Sequence, residues 1–154
     1  MTAKELVFVT VEPSDSHFRA FLSVEGLMSM KGDPEPLLQK VAKLYENALI
    51  NMGRLIADIE ANRAHRKPVP ARMIWELGDI IFQLRDQLEI LSLQLDDLYA
   101  HLVRDLCVKR KWLEKVIILR RYLPSEDLIP QHLNWGRLEK GTRRLAEMLR
   151  DGTL

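Results

Sequence analysis

The sequence predicts an all-α fold: an antiparallel helical bundle built on a long helical hairpin, with a short extended N-terminal arm. Three observations predict it. Two long segments carry apolar residues at alternating steps of three and four. Clusters of Pro and Gly separate the segments, at KGDPEP (31–36), RKPVPA (66–71) and YLPSEDLIP (122–130). The apolar stripe of the first segment is wider than a two-stranded coiled coil needs, so at least three helices have to share it.

Residues 1–32 form the arm. KELVFVTVE is rich in Val and Phe and is ended by Pro13, which reads as a strand. No partner strand is evident for it, and a lone strand leaves its backbone groups unpaired. SDSHFRAFLSVEGL then reads as a short helix that buries Phe18, Phe21 and Leu22.

Residues 33–154 form the bundle, with helices over about 34–65, 70–122 and 134–151. The first places Leu38, Val41, Tyr45, Ala48, Met52, Leu55 and Ile59 on one seam, flanked by Leu37, Leu44, Leu49 and Ile56. The second carries Leu77, Ile81, Leu84, Leu88, Leu91, Leu95, Leu98 and Leu102. No Gly or Pro falls between Gly78 and Pro124, so one helix from Pro70 to Tyr122 is expected, roughly 75–80 Å long at 1.5 Å per residue. The seam falters after Leu102, where strict spacing would put Asp105 inside. Leu106, Leu113 and Ile117 restart it one residue late, as a stutter or a concealed turn near CVKRK (107–111). Phe82, Ile90 and Leu93 lie off this seam and are the expected interface for a protein partner or a second copy. The third helix starts at Asn134 as N-cap and stops at Gly152.

Composition narrows the function. The chain has 154 residues, 47% apolar and 29% charged, an ordinary globular mix with enough apolar material for a core. Cys107 is the single cysteine, which excludes an internal disulfide and a cysteine zinc site. The early apolar run LVFVTV is too short to cross a bilayer, so no membrane partner is expected and the location is read as cytoplasmic. Neither GxxxxGK[ST] nor GxGxxG occurs, which leaves P-loop and dinucleotide chemistry without support, and no cofactor is implied.

WELGDIIF (75–82) places Glu76 and Asp79 three apart on one helical turn. The stretch resembles the second acidic half-motif of MazG-like nucleotide pyrophosphohydrolases. The resemblance implies an all-helical Mg²⁺ enzyme in which Glu76 and Asp79 supply the ExxD. The ExxE partner on the preceding helix is missing: past Pro36 the acids there are Glu46, Asp58 and Glu60, at other spacings. Two carboxylates rarely suffice for an all-protein Mg²⁺ site, whose geometry is octahedral in oxygen ligands. Acids near a helix start also favour the macrodipole without any metal. The Arg-then-His spacing of HEPN-type ribonucleases fails at His17, His65, His101 and His132 alike. Asp97, His101 and Asp105 form one i, i+4, i+8 line with ligand-type atoms, equally a polar helix edge. Cys107 has cationic neighbours that favour a thiolate, but no histidine base beside it.

Charge gives the stronger lead. Residues 1–100 hold 11 Lys/Arg against 15 Asp/Glu, whereas residues 101–154 hold 12 against 7. VKRKWLEKVIILRRYL carries Lys109, Arg110, Lys111, Lys115, Arg120 and Arg121 with Trp112 and Tyr122 interleaved. Arg137, Lys140 and Arg144 recur at i, i+3 and i+7, with Arg143 beside them. Such lines suit the backbone of RNA or DNA, without base reading. The expected function is therefore a non-catalytic assembly or adaptor subunit that contacts a nucleic-acid backbone through its basic C-terminal third. The alternatives are the metal-dependent nucleotide hydrolase and a purely structural homo-oligomer.

Overall fold

The computed structural model describes residues 6–23 and 32–154. The chain opens with two antiparallel strands, β1 (Val7–Ser14) and β2 (His17–Leu22). A 30-residue helix, α1 (Glu35–Ala64), follows, and then α2 (Ala71–Ile90). A three-residue strand, β3 (Leu93–Leu95), pairs in parallel with β1, which gives the sheet order β2-β1-β3. The remainder is helical: α3 (Leu98–Leu106), α4 (Arg110–Tyr122), a 3₁₀ turn (Glu126–Leu128), α5 (Trp135–Glu139) and α6 (Thr142–Asp151).

The all-α bundle expected from the sequence is overturned by this sheet. The N-terminal strand does exist, and it has partners on both edges. One is β2, in place of the helix expected from SDSHFRAFL; residues 24–27 of that stretch lie outside the described residues. Phe18, Ala20 and Leu22 alternate with exposed His17, Arg19 and Phe21, the period of two that a half-buried strand requires. The other partner is β3. It sits inside the segment 70–122, in place of the single helix expected there. Ser92 and Asp97 adopt left-handed backbone (φ 61° and 52°) and bracket the strand. Cys107 (φ 55°) then breaks the chain again between α3 and α4, at the turn suspected near 107–111.

The heptad positions are nevertheless inward. Val41, Tyr45, Ala48, Met52 and Ile59 of α1 are buried, as are Leu77, Ile81, Leu84, Leu88, Leu95 and Leu102. The core joins both layers, since Val9 and Val11 of β1 are fully buried in it. In place of one continuous rod, α2 packs on α1 and α4, and α4 packs on α6.

Polar groups seal the place where β3 ends. Val7 N–H donates to the Ser92 carbonyl, and the Val9 carbonyl accepts from Asp96 N–H. Val11 comes next on the same edge of β1, beyond the end of β3. Its N–H donates to His101 Nε2 (3.2 Å), and its carbonyl accepts from Arg104 Nη2 (2.7 Å). Two side chains of α3 thus continue the ladder and satisfy backbone groups that burial would otherwise penalise.

Gly78 marks the closest approach of α2 to α4. A Cβ there would stand 2.8 Å from Arg120 Cβ and 3.0 Å from the Val116 carbonyl oxygen. A backbone oxygen cannot swing aside, so Gly78→Val is expected to cost about 1–3 kcal/mol, even after the gain in helix propensity. Thermal unfolding is the check, with a loss of roughly 3–10 °C for a domain of this size. An unchanged midpoint would show that the two helices do not pack this closely.

Candidate nucleic-acid interface

The ten cations singled out in the sequence fall into three groups. Arg110, Arg120 and Arg143 are engaged within the fold. Arg120 Nε donates to Asp79 Oδ1 (2.9 Å), and its guanidinium lies over both Trp75 (5.0 Å) and Phe82 (4.8 Å). Arg110 faces Asp97 (3.7 Å) and Glu114 (3.6 Å), and Arg143 pairs with Glu147 (3.3 Å) over the Tyr122 ring. Arg121, Arg137, Lys140 and Arg144 are exposed and unpaired among the described residues, but they do not form one line. The chain turns at Lys140 and Gly141, so Arg137 lies on α5, Lys140 caps its end and Arg144 belongs to α6.

Lys109, Lys111 and Lys115 form the third group, and they converge. They line a groove of about 620 Å³ between the C-terminal half of α1, the α3–α4 turn and the start of α4. Arg63, from the last turn of α1, joins them. None of these four cations has an ion-pair partner among the described residues, although Glu60 and Glu139 line the same groove. Lys109 is the N-cap of α4 and provides no side-chain cap, so the first amides of that helix add positive potential nearby. The floor is apolar: Ile56, Ile59, Val108 and the Trp112 ring. The Trp112 Nε1–H is turned inward, away from solvent, and has no acceptor among the described residues.

The left-handed turn at Cys107 produces this convergence. It ends α3 and restarts the chain as α4, which brings Lys109, Lys111 and Lys115 alongside Arg63. The basic run RAHRK (63–67) is visible in the sequence. It reads there as ordinary helix-end charge facing the carboxyl end of the dipole, so nothing in the sequence marks Arg63 as a site residue.

The remaining candidates resolve differently. Asp79 is spent within the fold, with one oxygen bound by Arg120 and the other by Gln83 Nε2 (2.7 Å). Among the described residues no group of three His, Cys, Asp or Glu side chains gathers closely enough to hold a metal ion. Asp97, His101 and Asp105 do not converge on a common point. Asp97 caps α3 by accepting from Ala100 N–H, and its carbonyl accepts from His101 Nδ1–H (2.9 Å). Val11 donates to Nε2, so a neutral imidazole protonated at Nδ1 satisfies both bonds. Asp105 instead accepts from Tyr45 Oη (2.5 Å) and from Arg104 (2.8 Å). Cys107 is exposed on the groove wall.

The expected partner interface does not form one surface. Leu93 is 1% exposed and faces the core from β3. Phe82 is half-buried with Arg85 and Arg120 against its ring, and Ile90 alone is open, at 76%. Other large apolar side chains stand exposed elsewhere: Phe8 and Phe21 on the outer face of the sheet, and Ile50 on α1.

Glu76 faces Glu126 of the 3₁₀ turn. Burial, then the hydrogen bond with Glu126 and its charge, raise the Glu76 pKa above the ordinary glutamate range. An acid whose folded pKa is raised loses stabilisation as pH rises through that value. Glu76→Gln is therefore expected to stabilise the protein at pH 7, by less than about 1 kcal/mol because the site is solvent-exposed. The gain disappears near pH 4, where the wild-type carboxyl is protonated. Thermal midpoints of both proteins across this range test it, and a destabilised variant at pH 7 would contradict it.

Comparison with protein-family models, with curated proteins and with solved structures gives no match to this chain. Among the described residues, no helix is long and apolar enough to cross a membrane.

Proposed function

We propose that the protein is a non-catalytic subunit that holds a nucleic-acid backbone in the groove between α1 and α4. One observation carries this reading: Arg63, Lys109, Lys111 and Lys115 converge on one groove without ion-pair partners among the described residues, beside an aromatic ring. Four cations against two carboxylates, Glu60 and Glu139, leave the groove net positive, and a run of phosphates is attracted there while releasing its condensed counterions. Arg110 and Arg120 do balance acids of the N-terminal two-thirds, Asp97 and Asp79, whereas the four groove cations pair with none among the described residues and converge. The hydrogen bonds that hold Asp79 within the fold give no support to metal-dependent hydrolysis.

Fluorescence anisotropy of short labelled RNA and DNA, read at about 50 mM salt and again at about 200 mM, tests the proposal. Binding at low salt that weakens steeply at the higher salt is expected. A flat trace at both would remove the nucleic-acid role.

A further inference from the structure

We infer that the groove takes a single strand, with one nucleotide seated against the Trp112 ring and its flanking phosphates on Lys109, Lys111, Lys115 and Arg63. This inference rests on the backbone-binding reading above and adds the strandedness and the base contact. Two features of the groove carry it. The first is size and shape. A recess of about 620 Å³ lies in the range of clefts that enclose small ligands, on the order of 300–1,000 Å³. A duplex carries its phosphates on a broad, stiff cylinder and cannot enter a recess of that volume. A flexible strand can turn a base into it.

The second feature is chemical mixture. A site that only tracked phosphates would need cations and no apolar floor. Here the four cations, outnumbering Glu60 and Glu139, line the same groove as Trp112 and Val108, so it offers both net positive charge and an aromatic side chain. That pairing matches a nucleotide, with an anionic edge and a π-face, and stacking tolerates any base. The Nε1–H of Trp112 is buried, so this lining residue presents no indole donor to the groove, which suits stacking rather than hydrogen-bonded reading.

The test compares three labelled probes in anisotropy titrations: a single strand, its duplex, and the same single strand with abasic sites. The wild-type protein is expected to bind the single strand about tenfold or more tightly than either of the others, the scale of one base–aromatic stack. Trp112→Leu is expected to lose that preference while keeping salt-dependent binding. Should Trp112→Leu fail to fold, the abasic probe against wild type decides the base contact alone. Equal affinity for the single strand and its duplex, or for the intact and abasic strands, would overturn the inference and leave backbone binding standing. Failure to bind any probe would overturn both. Displacement of the strand by an unlabelled nucleoside monophosphate at a matching nucleotide concentration would assign the groove to a free nucleotide, and that too overturns the inference.

Discussion

Asp105→Ala is expected to be the most damaging single substitution outside the apolar core. It removes the acceptor for Tyr45 Oη and the counter-charge for Arg104. Tyr45 is fully buried, so its hydroxyl would be stranded without water. Arg104 would lose the carboxylate that orients it toward the Val11 carbonyl, at the point where the third strand ends. A stranded buried donor costs about 1–3 kcal/mol, and the loss of a hydrogen bond to a charged group about 1.5–3, so a combined cost of about 2–4 kcal/mol is expected after partial relaxation. That corresponds to a fall of roughly 5–15 °C in the melting midpoint. Tyr45→Phe removes the same bond from the other side without stranding a hydroxyl, and should cost less.

Acid sensitivity separates this account from simple loss of packing. Burial opposes ionisation of Asp105, but the hydrogen bonds from Arg104 and Tyr45, with the Arg104 charge, override it and hold the carboxyl below its ordinary range. A depressed carboxyl pKa contributes stability that is fully present above the unfolded value, near 4, and is lost as pH falls through the folded value. Wild-type protein should therefore lose this increment below about pH 4. Asp105→Ala should lack that portion of its acid transition. Parallel transitions in the two proteins would show that the carboxylate is not the group that matters. The Tyr45 hydroxyl, buried and beside this carboxylate, is shifted far upward and stays a donor throughout.

The second large effect concerns the groove. Replacing Lys109, Lys111 and Lys115 together by Gln is expected to weaken binding on the order of 100-fold at low salt, since each cation removed from a phosphate forgoes the release of most of one counterion. Replacing Arg137, Lys140 and Arg144 by Gln removes the same charge from the same third of the chain. It should weaken binding by less than about fivefold, because those side chains lie outside the groove and contribute only at long range. Equal effects in the two triple variants would mean that a diffuse basic surface, not the groove, carries the affinity. Circular dichroism should show both variants folded, since none of the six side chains is buried.

Much of the helical core is legible in the sequence, and for a physical reason. Steps of three and four among Leu38 to Ile59 and Leu77 to Leu88 leave one face apolar, and burying that face is what stabilises those helices. The sheet is hidden by an overlap of periods. In LSLQLD (91–96), Leu91 and Leu95 fit the heptad, while Leu91, Leu93 and Leu95 fit the alternation of a strand. Tertiary pairing with β1 decides between them, and the two bends use Ser and Asp where Gly or Asn would have announced a left-handed turn. Asp105 illustrates the same limit. Its inward position reads as a fault in the seam, yet Tyr45, 60 residues away, supplies the partner that makes it tolerable. The cationic groove is half legible. Lys109, Lys111 and Lys115 stand out as charge, but Arg63 belongs to another helix, and only the turn at Cys107 brings the four together.

The salt dependence of binding reports directly on whether the groove holds a phosphate backbone. Anisotropy titrations of a labelled single strand across a salt series give the slope of log K against log salt concentration. Four cations on a single strand predict a slope of about −3, equivalent to roughly a 50-fold loss of affinity between 50 and 200 mM salt. The variant with Gln at Lys109, Lys111 and Lys115 should bring that slope close to −1. Binding with a slope near zero, or a slope left unchanged in that variant, would contradict the assignment of the groove as the site that holds the backbone.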